Sequence, residues 1–205
     1  MLPAVKDRIF DMLISLSDLV VKETTILCEV IDFISDAETI ARRVSVVESE
    51  ADNLMHSLVV HYRDNDLRND DEAMIYFEIA RSLETITDAI ENLGNTLVAY
   101  NVIELREDII AFLSNINGAS KYLIEVLNDI RYNTSKWNLQ KHIIEINELC
   151  DEGERYYSAS MRRLFESEKD AIEIIKWKEI YTLTNESLHE FEHFADRCEV
   201  FMFKS

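Results

Sequence analysis

Glu84-Thr-Ile-Thr-Asp88-Ala-Ile-Glu91 has a counterpart 101 residues further along, Asn185-Glu-Ser-Leu-His189-Glu-Phe-Glu192. A second pair, Glu48-Ser-Glu-Ala-Asp52 and Cys150-Asp-Glu-Gly-Glu154, is offset by 102 residues. In every member, potential ligands stand at i and i+4, which is one face of an α-helix. An offset near half of a 205-residue chain points to a helical unit present twice. It also points to two places where polar side chains converge. The first copy is all carboxylate, and the second reads Cys, Glu, Asn and His.

The pattern around these segments is helical. Ile9, Leu13, Leu16, Val20, Leu27, Val30 and Ile34 recur at helical spacing and predict a first helix over about residues 5–34. Ser35-Asp-Ala-Glu38 reads as a capping box opening a second helix that runs to about Tyr62. Asn69-Asp-Asp-Glu72 resembles another N-terminal cap, for a third helix ending near Asn101. The second half repeats the plan over about residues 104–131 and 136–165, with Ser167-Glu-Lys-Asp170 able to cap a sixth helix running to about Phe203. Sustained strand alternation does not occur, and no Asn-Gly pair joins two such runs as a hairpin. Only three Gly and one Pro interrupt the chain, so the connections are short. The expected fold is therefore all-α: six long helices as two three-helix repeats, 1–101 and 102–205, packed antiparallel into one compact unit. Gly153 stands where Ala51 stands in the first repeat, beside the motif acids, and its small size predicts close approach of a neighbouring helix.

Composition bounds the function. Forty acidic residues against 21 basic give a net charge of −19. Such a surface repels nucleic acid and anionic lipid. Without a basic cluster or a Gly-rich loop, a site for free phosphate is disfavoured as well. The charge suits cations or a basic protein partner, and much of it serves solubility. Cys28, Cys150 and Cys198 are widely spaced and form no CxxC, which suggests a reducing cytosol. The N-terminus has no secretory-leader pattern, and the charge-free stretch Ile109 to Ser120 is too short and polar to span a bilayer. The expected location is cytoplasmic.

Glu48 and Asp52 share a face of the second helix, and Glu84, Asp88 and Glu91 share a face of the third. Counted from the connection near residue 67, the two sets fall at similar height on antiparallel neighbours. Carboxylates meeting there repel and need cations or protons. Oxygen ligands suit hard or borderline metals such as Fe, Mn, Mg and Ca, less often Zn. The competing reading is that 40 acids on six helices form such pairs by chance and stay solvated. In the second repeat Cys150, Glu154, Asn185 and His189 form a softer candidate set, in which His favours Zn, Fe or Ni. Glu186-x-x-His189 and Glu190-x-x-His193 fall on one helix, whereas di-iron oxidases place one such motif on each of two, so that class is disfavoured. His56 and His61, like His189 and His193 in the competing reading, read as surface or partly buried residues. No Gly-x-Ser-x-Gly or recognisable Cys-His context supports nucleophilic catalysis.

Ile175-Lys-Trp-Lys-Glu-Ile-Tyr181, Ala195-Asp-Arg-Cys-Glu199 and Phe203-Lys204, with Glu48-x-x-x-Asp52, Asp88-Ala-Ile-Glu91 and Leu164-Phe165, resemble the PhoU-like family of phosphate-transport accessory proteins. The resemblance covers nearly the whole length. It implies a six-helix bundle, often dimeric, and multinuclear iron or zinc held on the bundle surface by Glu/Asp-x-x-x-Asp motifs. It also implies regulation of an inorganic phosphate transporter, with no catalysis. Two departures stand out. The family usually follows its second helix with a Phe-x-Thr-Pro segment, where this chain has Tyr62 to Asp71. The second-repeat ligand positions carry Cys150, Glu154, Asn185 and His189 where acids are expected, which leaves that site open to loss or to a different metal.

The expectation is thus a cytoplasmic, metal-binding regulator of inorganic phosphate transport, a homodimer attached at the inner membrane through the transporter's cytoplasmic face. It binds no nucleic acid and inserts into no lipid. Its ligands are Glu48, Asp52, Glu84, Asp88 and Glu91, with Cys150, Glu154, Asn185 and His189 as a second set, for a divalent or trivalent metal, iron or zinc first. A metal-dependent helical-bundle enzyme and a metal-free interaction scaffold are the alternatives.

Overall fold

A computed structural model describes residues 1–203. Six long α-helices follow in order: α1 Pro3–Cys28, α2 Ala37–Asp64, α3 Asp71–Ala99, α4 Glu107–Arg131, α5 Lys136–Ser167 and α6 Ala171–Phe203. No strand occurs among the described residues. Lys204 of the family-like closing segment lies outside them.

The helix ends show which local signals act. Asp70 precedes α3, and its carboxylate accepts from the Ala73 amide at 3.0 Å, as the acidic cap predicts. Ser135 does the same for α5, accepting from Asn138 at 3.3 Å. Asp170 accepts from the Ile172 amide at 2.8 Å at the start of α6. The Ser35–Glu38 capping box does not form: Asp36 precedes α2, and no side chain caps it. The chain there runs through two 3-10 turns, Glu29–Ile31 and Ile34–Asp36, so α1 stops at Cys28 and not near residue 34. The tighter turns still deliver Val30 to the core and pack Ile31 and Ile34 against it. That is why the apolar spacing outlasts the helix.

α1, α3, α4 and α6 form a closed ring of packed pairs: α1 with α3 and α4, and α6 with α3 and α4. α2 covers α1 and α3, and α5 covers α4 and α6. One apolar core runs through the whole arrangement. Burial repeats in register between the halves. The eleven buried positions of α1, from Ile9 to Leu27, reappear 103 residues later as the last eleven of α4, from Phe112 to Ile130. All ten buried positions of α6 lie 101 residues after a buried position of α3. The register differs by single residues because the connections differ in length.

Gly153 has the packing role its size suggests. A Cβ at that position would collide with Leu188 Cδ1 of α6. In the register of the halves Leu188 answers Thr87, and Gly153 answers Ala51. The second half thus exchanges a small residue on one helix for a large one on the other. The family-like stretch Ile175–Tyr181 also packs inward. Trp177, Ile180 and Tyr181 are buried, the Trp177 indole donates to Glu173 at 2.9 Å, and the Arg106 guanidinium lies 4.6 Å from the Trp177 ring.

Candidate metal centre

α2 and α3 are antiparallel neighbours across the short connection at 65–70, which brings their acidic faces level. Glu48, Asp52 and Asp88 converge: one carboxylate oxygen from each lies within 4.8 Å of the other two. Glu48 is half-buried, and Asp52 and Asp88 are exposed. Burial, then Asp52 and Glu91, push the Glu48 carboxyl above its ordinary range, against one stabilising hydrogen bond from the Ser49 hydroxyl. Burial, then Asp52 and Glu91, do the same to Asp88. Glu84 is raised by burial, Asp88 and Asp52, and relieved by Arg81 and His56, so it stands at one margin of the group. Glu91 stands at the other margin, where its charge acts on Glu48 and Asp88. The five acids expected from the sequence therefore share one surface, with three of them at its centre.

A sixth acid lies in the field of this cluster without joining its converging oxygens. Glu23 of α1 is fully buried, and neither of its carboxylate oxygens has a hydrogen-bond partner. Burial first, then the charges of Glu48, Glu91 and Asp88, push its carboxyl up to about 10. The neighbouring base Lys22 turns away to pair with Glu50 at 2.9 Å. A signal for Glu23 existed in the sequence. Between Val20 and Leu27 the core register of α1 passes through 23 and 24, where Glu and Thr replace the expected apolar residue.

The second half is built differently. Cys150 is buried, and its thiol donates inward to the Leu188 carbonyl at 3.3 Å. Burial, then Glu192 and Asp151, push that thiol up to about 12, away from the thiolate that metals prefer. Asn185 holds a buried, unpartnered side-chain oxygen. His189 sits between Glu192, 3.1 Å from Nδ1, and Glu154, 3.7 Å from Nε2. The structure thus joins Glu154 and His189 to Glu192, while the Cys150 thiol turns inward. Among the described residues, the Glu48–Asp52–Asp88 group is where three potential ligand atoms converge.

Nearly the whole chain superposes on two solved structures. A PhoU-like protein from Shewanella oneidensis MR-1 matches with a TM-score of 0.79, over 96% of this chain and 100% of that one, at 14% identity. The phosphate transport system regulatory protein PhoU from Streptococcus pneumoniae matches with a TM-score of 0.75, over 98% and 96%, at 10% identity. This is the PhoU-like fold. The family resemblance read from the sequence and the six-helix architecture agree with it. A curated relative, the UPF0111 protein YkaA of Bacillus subtilis (strain 168), is 24% identical over 128 residues. The match spans 62% of this chain and 62% of that protein. No family model matches the chain. None of its helices among the described residues is long and apolar enough to cross a membrane.

Proposed function

We propose that this PhoU-like chain is a cytoplasmic, metal-binding regulator or accessory protein of inorganic phosphate transport. The observation that carries the regulatory role is the near full-length superposition on a phosphate transport system regulatory protein. The partner is the cytoplasmic face of a phosphate transporter, engaged by a homodimer. Cytoplasmic loops of membrane proteins are enriched in Lys and Arg, and a −19 surface is steered towards them. The same charge is repelled by anionic lipid, so docking needs the transporter itself.

The metal belongs to the first repeat. Glu48, Asp52 and Asp88 hold it, with Glu84 and Glu91 at the margins. An oxygen-only donor set suits a divalent or trivalent cation, with iron or zinc the first candidates. The unpartnered Glu23 carboxyl beneath supports the fit, since a buried acid facing other acids lacks the positive charge that a cation brings. Bound there, a cation would neutralise the charge of Glu48 and Asp52 on α2 and of Asp88 on α3. The chain acts by binding, not by catalysis.

Two measurements test this reading. Elemental analysis of purified protein should find iron or zinc, and Asp52→Asn with Asp88→Asn should remove it while the far-ultraviolet helical signal persists. Tagged protein should co-sediment with membranes from cells carrying the phosphate transporter and not from the deletion strain, and less so at high salt. Equal recovery from both strains would reject the transporter as partner.

A further inference from the structure

We propose that the metal centre is deeper than its surface carboxylates, with Glu23 of α1 as an inner ligand that closes on the cation from the side of Glu48 and Asp88. This rests on the reading of the first repeat as a metal site and adds a third helix to it. Four observations carry it.

Glu23 is fully buried, yet neither carboxylate oxygen is hydrogen-bonded. A buried polar group without a partner costs free energy that natural cores avoid. The charges acting on it are those of Glu48, Glu91 and Asp88, all acids, so it faces the cluster and no base serves it. Its place in α1 is a core position, flanked by the buried Val20 and Leu27, where an apolar side chain stabilises more.

The other half supplies an internal comparison. In the register of buried positions, Glu23 corresponds to Val126, which is buried and apolar. The same half has Cys150 in place of Glu48 and turns its thiol inward. The inner acid and the all-carboxylate group thus occur together in one half, while the other half has Val126 and sets Glu154 and Glu192 about His189. The other buried acid among the described residues, Asp129 of α4, accepts hydrogen bonds from Thr134 and His142, whereas Glu23 has none. A carboxyl kept unpartnered in a core position beside an acidic cluster is accounted for by an oxygen-seeking cation that it helps to hold.

The test uses the full-length protein, stripped with chelator and titrated with Zn²⁺ and, anaerobically, with Fe²⁺. Affinity is read by equilibrium dialysis, and thermal midpoints are taken with and without metal. Glu23→Gln should weaken binding at least tenfold. Glu23→Val, which installs the residue found at position 126, should raise the metal-free midpoint and remove the gain that metal confers on the wild type. The raised midpoint shows that the variant folds, so lost binding cannot be blamed on lost structure. Wild-type affinity in both variants, alongside lost binding in the Asp52→Asn, Asp88→Asn protein, would overturn the inner ligand and leave the surface site standing. No binding by the wild type would overturn both.

Discussion

In the metal-free protein, rising pH should cost stability, and Glu23 should supply a measurable part of the slope. Glu23 is fully buried with unpartnered oxygens, and its carboxyl is pushed from 4.5 to about 10. Between those values the native chain keeps a proton that the unfolded chain has released. Folding then takes up a proton, so stability is greatest below the unfolded value and declines until the native carboxyl ionises. For one group the slope is about 1.4 kcal/mol per pH unit. From pH 6 to pH 8 the loss is about 2.7 kcal/mol, or roughly 5–10 °C in the thermal midpoint of a chain this size. Glu23→Gln removes the titrating group and keeps the shape. Thermal and urea unfolding of chelator-treated wild type and variant at both pH values isolates the contribution, because every other titration is common to the two. The variant's loss should be smaller than the wild type's by about that amount. Parallel losses in the two proteins would refute the reasoning and show that Glu23 ionises in place.

The two best-defined glycine contacts should respond oppositely to alanine. Gly94→Ala meets Leu27 at 3.4 Å and Ala41 at 4.0 Å, ordinary contact distances, so it should gain up to about 1 kcal/mol of helix propensity in urea unfolding. Gly153→Ala should instead lose about 1–3 kcal/mol, because its new methyl drives Leu188 out of place. The thiols should be inert in the folded protein. Burial pushes Cys28 up to about 11 and Cys150 up to about 12, and raises fully buried Cys198 as well. Colour development with a disulfide reagent at pH 8 should be slow until guanidinium exposes all three. A fast-reacting thiol in native protein would contradict this burial.

The sequence by itself determined the helices and their number, because apolar spacing and scarce turn residues are local properties. It also determined the acidic surface, since i and i+4 acids on antiparallel neighbours must meet when the connection between them is short. Asp70 as a cap was legible for the same reason: a side chain reaching three residues along needs no tertiary partner. Ser35–Glu38 carries an equally good local signal, yet it forms no cap, because the 3-10 turns that keep Val30 and Ile34 on the core set the backbone there. The chemistry of the second half was decided by packing. Cys150 aligns with Glu48 in sequence, but the close approach of α6 at Gly153 places the Leu188 carbonyl within reach of its thiol. Glu23 shows the division most clearly. The sequence shows a glutamate out of place in an apolar register, while the distance along the chain to Glu48 and Asp88 says nothing of its role. Only the packing of α1 against α2 and α3 sets that carboxyl beneath the cluster, since burial and the field of other charges are properties of the assembled bundle.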